Sequence, residues 1–248
     1  MPAASAASKS TATIVRGRPV TDKPVHRRIT RVGNVIRQVV GKNVAVLTGD
    51  EFTAVRAGRR LLVDVGTGDG KHVLHEARRR PDWLVVGLDA APAQLQKTSA
   101  SAARKAAKGG VPNAMFVQGA AESLPLELAD STELHVLMPW GSLLRGVLDP
   151  EATVLAQLRS VAAPGTNLLI TLNLHAWRPP VPEVGSTAEP TPDDAATLAA
   201  GYAASGWQLL SADYLDDDGI AALATSWGRR LNSSREQFEV LALRAVAT

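Results

Sequence analysis

Three glycines at alternate positions, with a carboxylate just before them, form the most informative stretch of the chain. The apolar run Leu61–Val65 contains Asp64 and is followed by the three glycines, Gly66, Gly68 and Gly70. A run without polar alternation is typical of a parallel strand that is covered on both faces. Glycines after a strand allow positive φ angles and close approach of a ligand, and the helix that follows offers unpaired N–H groups. The stretch therefore predicts a strand, a tight turn and a helix that bind a nucleoside-bearing cofactor.

The spacing of the glycines separates two kinds of cofactor. The dinucleotide fingerprint G-x-G-x-x-G would need its third glycine at position 71, which is Lys71. The spacing D-x-G-x-G-x-G instead resembles the first motif of class I S-adenosylmethionine-dependent methyltransferases. A second apolar run, Trp83–Asp89, ends in a carboxylate where a Rossmann-like fold accepts a ribose diol. Together the two motifs predict that the cofactor is S-adenosylmethionine.

The elements around these motifs alternate between strand and helix five times before the end of the chain becomes rich in strands. This order predicts an α/β fold with a doubly wound, mostly parallel sheet and a terminal antiparallel strand. The resemblance of the glycine motif implies that this is the class I Rossmann-like methyltransferase fold. Apolar residues on both sides of Gly41 predict an N-terminal β-hairpin. Thr48 and Glu51 have the spacing of a capping box and predict a short helix after the hairpin.

Composition and charge suggest where the folded domain begins. Through Arg37 the chain holds eight Lys or Arg residues against the single acidic residue Asp22, whereas the remainder holds 19 basic and 23 acidic residues and has a net charge of −4. The first part is also rich in Ala and Ser and contains few apolar residues. We therefore expect residues 1–35 to be a disordered, basic N-terminal extension and residues 36–248 to be the methyltransferase domain. A folded domain that is not basic overall needs a local positive patch to bind nucleic acid.

Several classes of protein are excluded by residues that the sequence lacks. It contains no cysteine, so it has no disulfide, no thiolate metal site and no cysteine nucleophile of the kind that pyrimidine C5-methyltransferases use. Its five histidines show no spacing of metal ligands, and we predict no metal. No apolar run is long enough to span a membrane, and we expect a cytoplasmic protein.

The end of the predicted fourth strand carries an indole where many methyltransferases of amino groups carry an acceptor. Their D/N-P-P-Y/F motif is replaced by Met138-Pro139-Trp140-Gly141, which has no acceptor side chain at its first position. Direct attack by an amino nitrogen is therefore disfavoured. A second indole, Trp227, lies in a predicted loop between two late strands, and loops at this edge of the sheet converge on the ligand. Two indoles could hold a flipped base between them.

Five longer motifs carry a resemblance to a known family. They are Gly66–His72, Leu134–Gly146, Asn173–Trp177, Glu183–Gly185 and Thr225–Arg230. These motifs resemble those of the 16S rRNA adenine-1408 N1-methyltransferases that confer aminoglycoside resistance. The resemblance extends from about Val35 to Arg244 and excludes the N-terminal extension. Gly228 stands where the family resemblance leads us to expect a bulkier residue.

The resemblance implies the chemistry and the residues that carry it. The implied nucleophile is adenine N1, which has an in-plane lone pair and needs no general base. The implied substrate is the 30S ribosomal subunit, methylated at helix 44. The enzyme is expected to be a monomer. The implied catalytic residues are Trp140 and Trp227, which hold the base, and the implied RNA-binding residues are Arg229, Arg230 and Arg235. The implied cofactor-binding residues are Asp64, Gly66, Gly68, Asp89, Ala121, Glu122, Leu137, Pro139, Ser142 and Thr225.

Three alternatives stay open. Either indole could be an ordinary core aromatic, although the flanking Pro, Ser, Gly and Arg residues disfavour this. The chain could be a small-molecule methyltransferase of the same fold, but the low aromatic content and the basic segment 225–235 favour RNA. It could also be a non-catalytic RNA-binding module with a vestigial cofactor turn, which the intact Asp64, Asp89 and Glu122 argue against.

Overall fold

The computed structural model describes residues 35–149, 153–177, 188–233 and 239–248, with the side chains of residues 230–233 excepted. Residues 1–34 of the predicted extension, and Arg235, lie outside the described residues. No helix in the described ranges is long and apolar enough to cross a membrane.

Nine strands form one sheet within these ranges. The strands are β1 (Ile36–Val40), β2 (Asn43–Leu47), β3 (Arg60–Val65), β4 (Trp83–Asp89), β5 (Ala114–Gln118), β6 (Ser131–Leu137), β7 (Ala162–Asn173), β8 (Trp207–Tyr214) and β9 (Val240–Ala247). The helices between them are α1 (Gly49–Arg56), α2 (Lys71–Arg79), α3 (Pro92–Ala102), α4 (Gly141–Leu148), α5 (Thr153–Ser160), α6 (Ala195–Ala204), α7 (Asp217–Ala222) and α8 (Ser226–Ser233).

The strand order is β2-β1-β5-β4-β3-β6-β7-β9-β8. Strands β3 to β7 pair in parallel with one another, whereas β9 is antiparallel to both of its neighbours, β7 and β8. The hairpin β1–β2 joins the other end of the sheet through an antiparallel pairing of β1 with β5. The predicted α/β class, the mostly parallel sheet, the antiparallel strand near the end and the N-terminal hairpin are all confirmed.

Burial on both faces explains the continuous apolar run of β3. Leu61 and Val63 belong to one apolar cluster and Leu62 to another, so alternate side chains enter cores on opposite faces of the sheet. Each fully buried side chain of this kind contributes about 1.5–3 kcal/mol. The rigid centre of the sheet positions the site, because β3 lies between β4 and β6 and the chain changes direction there. Open α/β sheets bind ligands at the carboxyl ends of strands at such a point.

Local signals predicted some helix ends and missed others. The capping box is present, because Glu51 N–H donates to Thr48 Oγ1 and Thr48 N–H donates back to the Glu51 carboxylate. The Ala-rich run from Pro92 to Lys108 predicts one helix, but α3 ends at Ala102, before a short 3₁₀ turn at Ala106–Lys108. The prediction that Trp227 lies in a loop is wrong, because Trp227 is in the first turn of α8.

Candidate functional site

A cavity of about 590 Å³ opens at the carboxyl ends of β3, β4 and β6. This volume is within the usual range for small-molecule sites. The structure brings together at this cavity every residue predicted to bind the cofactor, and both indoles. The predicted residues that line it are Asp64, Gly66, Gly68, Asp89, Ala121, Glu122, Leu137, Pro139, Ser142, Thr225, Trp140 and Trp227.

The glycine turn joins β3 to α2 in a conformation that other residues rarely adopt. Gly66, Gly68 and Gly70 all have positive φ angles, of 74°, 58° and 71°. A Cβ atom on Gly66 would lie 2.4 Å from the Leu143 side chain, and one on Gly70 would lie 2.4 Å from Phe116. No described atom lies within 4 Å of a Cβ built on Gly68. Gly70 is therefore required by packing as well as by φ, because the Phe116 ring is buried. At Gly66 the flexible end of Leu143 could move, so φ is the main requirement, and Gly68 leaves open space beside its backbone.

Asp64, at the end of β3, is a buried carboxylate with one unused oxygen. Thr67 Oγ1 donates to Oδ2 of Asp64 at 2.5 Å, but Oδ1 has no hydrogen-bond partner among the described residues. Burial raises the pKa of Asp64, and Asp89 and Glu76 add to the effect, while His72 and Thr67 oppose it. A buried carboxylate oxygen without a partner is costly unless a ligand supplies a donor. The site therefore fits a ligand that carries a cationic N–H group.

Asp89, at the end of β4, is held by two backbone N–H groups. Gly68 N–H donates to Oδ2 and Ala91 N–H donates to Oδ1, each at 2.8 Å. Each carboxylate oxygen can accept a further hydrogen bond. The residue is thus oriented by the glycine turn and can still accept from hydroxyl groups of a ligand in the cavity.

The two indoles lie parallel to each other at the cavity. The ring centroids of Trp140 and Trp227 are 6.3 Å apart, and the angle between the ring planes is 10°. The residues are 40% and 44% exposed, so the alternative that either is a core aromatic is wrong. Trp140 precedes the first residue of α4, and the turn before it contains Met138 with a positive φ of 50°. A positive φ at a residue other than glycine is uncommon, and residues with strained backbones tend to cluster at functional sites.

Thr225 is the residue immediately before α8, the helix that carries Trp227. Its hydroxyl accepts from Gly228 N–H at 2.8 Å, which is the geometry of an N-cap. Gly228 is buried, and a Cβ there would lie 2.9 Å from the Ile220 carbonyl oxygen and 3.1 Å from Thr225 Oγ1. The glycine that departs from the expected pattern therefore allows the close approach of α8 to α7.

A polar cluster that sequence reasoning missed joins the glycine turn to α8. Ser226 Oγ donates to Asp69 Oδ2 at 2.6 Å, and Lys71 Nζ lies 2.6 Å from the same oxygen and 2.5 Å from Ser226 Oγ. Burial alone raises the pKa of Asp69, but hydrogen bonds from Lys71 and Ser226 outweigh it and lower the pKa. The sequence did not predict this contact, because Asp69 and Lys71 are more than 150 positions away from Ser226.

Two of the three arginines predicted to bind RNA lie on α8. Arg229 is exposed on α8, the backbone of Arg230 is helical, and Arg235 lies outside the described residues. Within the described ranges, no group of three or more His, Cys, Asp and Glu residues is arranged to hold a metal ion.

Comparison with known proteins decides the family. The profile of the NpmA family, described as 16S rRNA (adenine(1408)-N(1))-methyltransferase, matches residues 37–246. The chain belongs to this family. A 16S rRNA (adenine(1408)-N(1))-methyltransferase from Streptoalloteichus hindustanus is 52% identical over 210 residues, which are 84% of this chain and 97% of that relative.

Solved structures of this methyltransferase family match both the sequence and the fold. The crystal structure of the 16S rRNA methyltransferase KamB has a TM-score of 0.80 and 51% identity, over 86% of this chain and 99% of that chain. A variant of the 16S rRNA (adenine(1408)-N(1))-methyltransferase from Catenulisporales acidiphilia, solved with its cosubstrate S-adenosylmethionine, has a TM-score of 0.79 and 41% identity. That match covers 86% of this chain and 97% of the other. The family membership predicted from the motifs is confirmed.

Proposed function

We propose that this chain transfers the methyl group of S-adenosylmethionine to N1 of adenine 1408 in 16S rRNA and so confers aminoglycoside resistance. The substrate is the 30S subunit, and the chain binds it at helix 44, in the cytoplasm and as a monomer. The single observation that carries the proposal is the pair of parallel, half-exposed indoles beside a cavity for a cationic ligand.

The residues of the cavity fit the cofactor. Asp64 Oδ1 would accept a hydrogen bond from its ammonium group, and Asp89 would accept from the ribose hydroxyls. The glycine turn would hold the rest of the cofactor, together with Ala121, Glu122, Leu137, Pro139, Ser142 and Thr225. When bound, S-adenosylmethionine supplies a methyl group on a positively charged sulfur, which a neutral nitrogen lone pair can attack.

The two indoles must separate slightly to admit a base between them. Carbon surfaces in contact lie about 3.5 Å apart, so a base between two indoles needs about 7 Å between the ring planes. The ring centroids are 6.3 Å apart, so the rings must move apart by about 0.7 Å or more. Each base–indole stack contributes about 1–3 kcal/mol, which offsets the few kcal/mol that extrusion of a base costs. The indoles also stabilise the cationic product ring through cation–π interactions. These residues act by positioning, since adenine N1 requires no general base.

Exposure of the indoles favours a large substrate over a small one. A pocket for a small molecule usually encloses most of its ligand. Here Trp140 and Trp227 are 40% and 44% exposed, so a base that reaches them can remain attached to a nucleic acid outside the cavity.

We include residues 36–248 in the methyltransferase domain and assign residues 1–35 to a separate extension.

Substitution of the indoles tests the proposal. Trp140→Ala and Trp227→Ala should each slow single-turnover methylation of 30S subunits by about tenfold or more, while the affinity for S-adenosylhomocysteine stays within about twofold. Phe at either position should recover part of the rate because it still stacks, and Leu should not. Leu210→Ala is the matched control, since Leu210 is exposed and does not line the cavity.

The product is located by primer extension, which should stop at adenine 1408 after treatment with the original protein, and cells that express it should resist aminoglycosides. Methylation at another nucleotide, or at a normal rate in both Trp→Ala variants, would contradict the proposal. Equal methylation of a small nucleoside and of 30S subunits would instead favour the small-molecule alternative.

A further inference from the structure

Two histidines form a buried hydrogen-bonded pair at the wall of the cofactor cavity, which His72 lines and His135 does not. His72 is on the first turn of α2, and His135 is on β6. His72 Nε2 lies 2.9 Å from His135 Nδ1, and His72 Nδ1 lies 2.6 Å from the carbonyl oxygen of Leu223. Both residues are buried. These two hydrogen bonds thus link the end of α7, at Leu223, to α2 and to the centre of the sheet.

The carbonyl group determines which nitrogen of His72 carries a proton towards it. A carbonyl oxygen only accepts, so His72 Nδ1 carries the proton that is donated to Leu223. The other nitrogen, Nε2, accepts from His135 Nδ1 when His72 is neutral and donates to it when His72 is cationic. Nδ1 of His72 is therefore protonated in both cases. Burial lowers the pKa of His135, and the nearby His72 and Arg80 lower it further, which keeps this ring neutral.

The Leu223 carbonyl lies at the start of the segment that carries Trp227. Leu223 is the residue after α7, and Ala224 follows with a positive φ of 51°. Thr225 then caps α8, whose second residue is Trp227. Carbonyl groups at the end of a helix have no partner within the helix, and a buried one needs a donor from elsewhere. His72 supplies that donor at the point where the chain turns towards the indole.

The segment from Leu223 to Trp227 is also held at Ser226, by residues just before His72. Ser226 is tied to Asp69 and Lys71 by the hydrogen bonds described above. Residues 69–72 therefore contact the segment on both sides of Thr225. Because residues 66–70 also form the glycine turn, the position of Trp227 is linked directly to the part of the chain that holds the cofactor.

We propose that His72 is a positioning residue for methyl transfer, which holds Trp227 in place through the Leu223 carbonyl and is itself held by its hydrogen bond with His135. The inference rests on the proposed function, because it gives Trp227 the task of stacking on the target base. His72 does not exchange a proton with the substrate in this role.

Two variants separate the hydrogen bond from the bulk of the ring. In His72→Asn the side-chain N–H₂ group takes the place of Nδ1 and can still donate to Leu223, whereas His72→Leu keeps comparable bulk and donates nothing. His72→Leu should reduce the single-turnover rate on 30S subunits by roughly tenfold, with the dissociation constants for S-adenosylhomocysteine and for 30S within about twofold of the original. His72→Asn should recover most of the rate.

The expected outcome is thus a loss in rate without a loss in binding, restored by the donor. An unchanged rate in His72→Leu would overturn the inference, and so would an equal loss in the Leu and Asn variants when both are folded. These comparisons are made relative to the original protein. If the original protein does not methylate adenine 1408, the proposed function fails; if it does and the His72 variants behave alike, only this inference fails.

A spectroscopic measurement tests the tautomer without any substrate. Two-bond ¹H–¹⁵N correlation spectra of the full chain, with the imidazole nitrogens labelled, distinguish the two neutral tautomers of each ring. Assignment uses His72→Asn and a His135→Asn variant. We expect a proton on Nδ1 of His72 at neutral pH, and a His72 ring protonated only at Nε2 would overturn the inference because such a ring cannot donate to Leu223.

Discussion

At the scale of single residues, the site depends on buried polar atoms that only a ligand or a distant segment can satisfy. Asp64 is the clearest case. One of its oxygens has no hydrogen-bond partner among the described residues, and its burial makes the ionised form costly. A carboxylate kept in this state lowers stability in exchange for binding, which is a common compromise at functional sites.

Asp64→Asn should weaken binding and strengthen the fold. The affinity for S-adenosylhomocysteine, measured by calorimetric titration, should fall by about tenfold or more because a charge-assisted hydrogen bond is lost. Without ligand, the free energy of unfolding near neutral pH should rise. The raised pKa means that the folded state binds a proton more tightly than the unfolded state, so the original protein loses stability as pH rises through the folded pKa. Asn removes this loss.

The gain in stability should therefore be larger at about pH 8 than at about pH 4.5, where Asp64 is closer to protonated in both states. Urea unfolding at both pH values measures it. Asp82→Asn is the matched control, because Asp82 is exposed and does not line the cavity. Unchanged affinity in Asp64→Asn would remove this carboxylate from the cofactor site.

Sequence reasoning identified the residues at strand ends and missed those that connect distant segments. Asp89 could be predicted, since a carboxylate at the end of an apolar run in an α/β pattern faces the crevice. The contacts of Lys71 with Ser226 and of His72 with Leu223 could not, because they join residues more than 150 positions apart and follow no periodicity. Only the packing of α2 against the segment before α8 brings these residues together.

At the scale of elements, α8 shows how packing can decide a structure that local sequence leaves open. Its residues Ser226–Ser233 include glycine, serine and asparagine, which have low helix propensity. This composition explains why the segment was predicted as a loop. The cap at Thr225, the contact of Gly228 with α7 and the contacts of Ser226 compensate for that propensity.

Gly228→Ala should damage this arrangement although alanine is the better helix former. In an open helix the change would stabilise by about 1 kcal/mol. Here the new Cβ would lie 2.9 Å from the backbone carbonyl oxygen of Ile220, so α8 must move away from α7. Methylation of 30S subunits should fall severalfold because Trp227 moves with the helix.

The control is Gly49→Ala in the first turn of α1, where no described atom lies within 4 Å of the added Cβ and φ is not positive. That variant should be slightly more stable, by about 0.5–1 kcal/mol, and fully active. Activity and thermal unfolding are measured for both. Normal activity in Gly228→Ala would mean that the α7–α8 contact does not position the indole.

At the scale of the whole molecule, the order of strands follows from the alternation of elements, but the joining of the hairpin does not. The pattern β-α-β with right-handed crossovers leaves few arrangements for β3 to β7. In contrast, nothing in residues 36–47 specifies that β1 pairs with β5, which follows only once the edge of the parallel sheet exists. The carboxyl edge of that sheet also determines where a nucleic acid must approach.

The uneven distribution of charge leads to a prediction about binding to the 30S subunit. Through Arg37 the chain is strongly basic, whereas the remainder is acidic overall, so either the extension or a local patch on the domain must contact the phosphates. We assign the contacts to the basic run around α8, next to Trp227. Arg230→Glu and Arg235→Glu should each weaken binding and lower the slope of log affinity against log salt by about one.

Deletion of residues 1–34 should change that slope much less, because a tail distant in sequence from the indoles need not be ordered on the subunit for the base to reach the cavity. Arg78→Glu, which makes the same change of charge at an exposed position near the far end of α2, is the matched control and should leave the slope nearly unchanged. Binding is measured by filter retention over a series of salt concentrations. A slope that falls by about half in the deletion variant, with little change in the two arginine variants, would assign the electrostatic attraction to the extension instead of the domain.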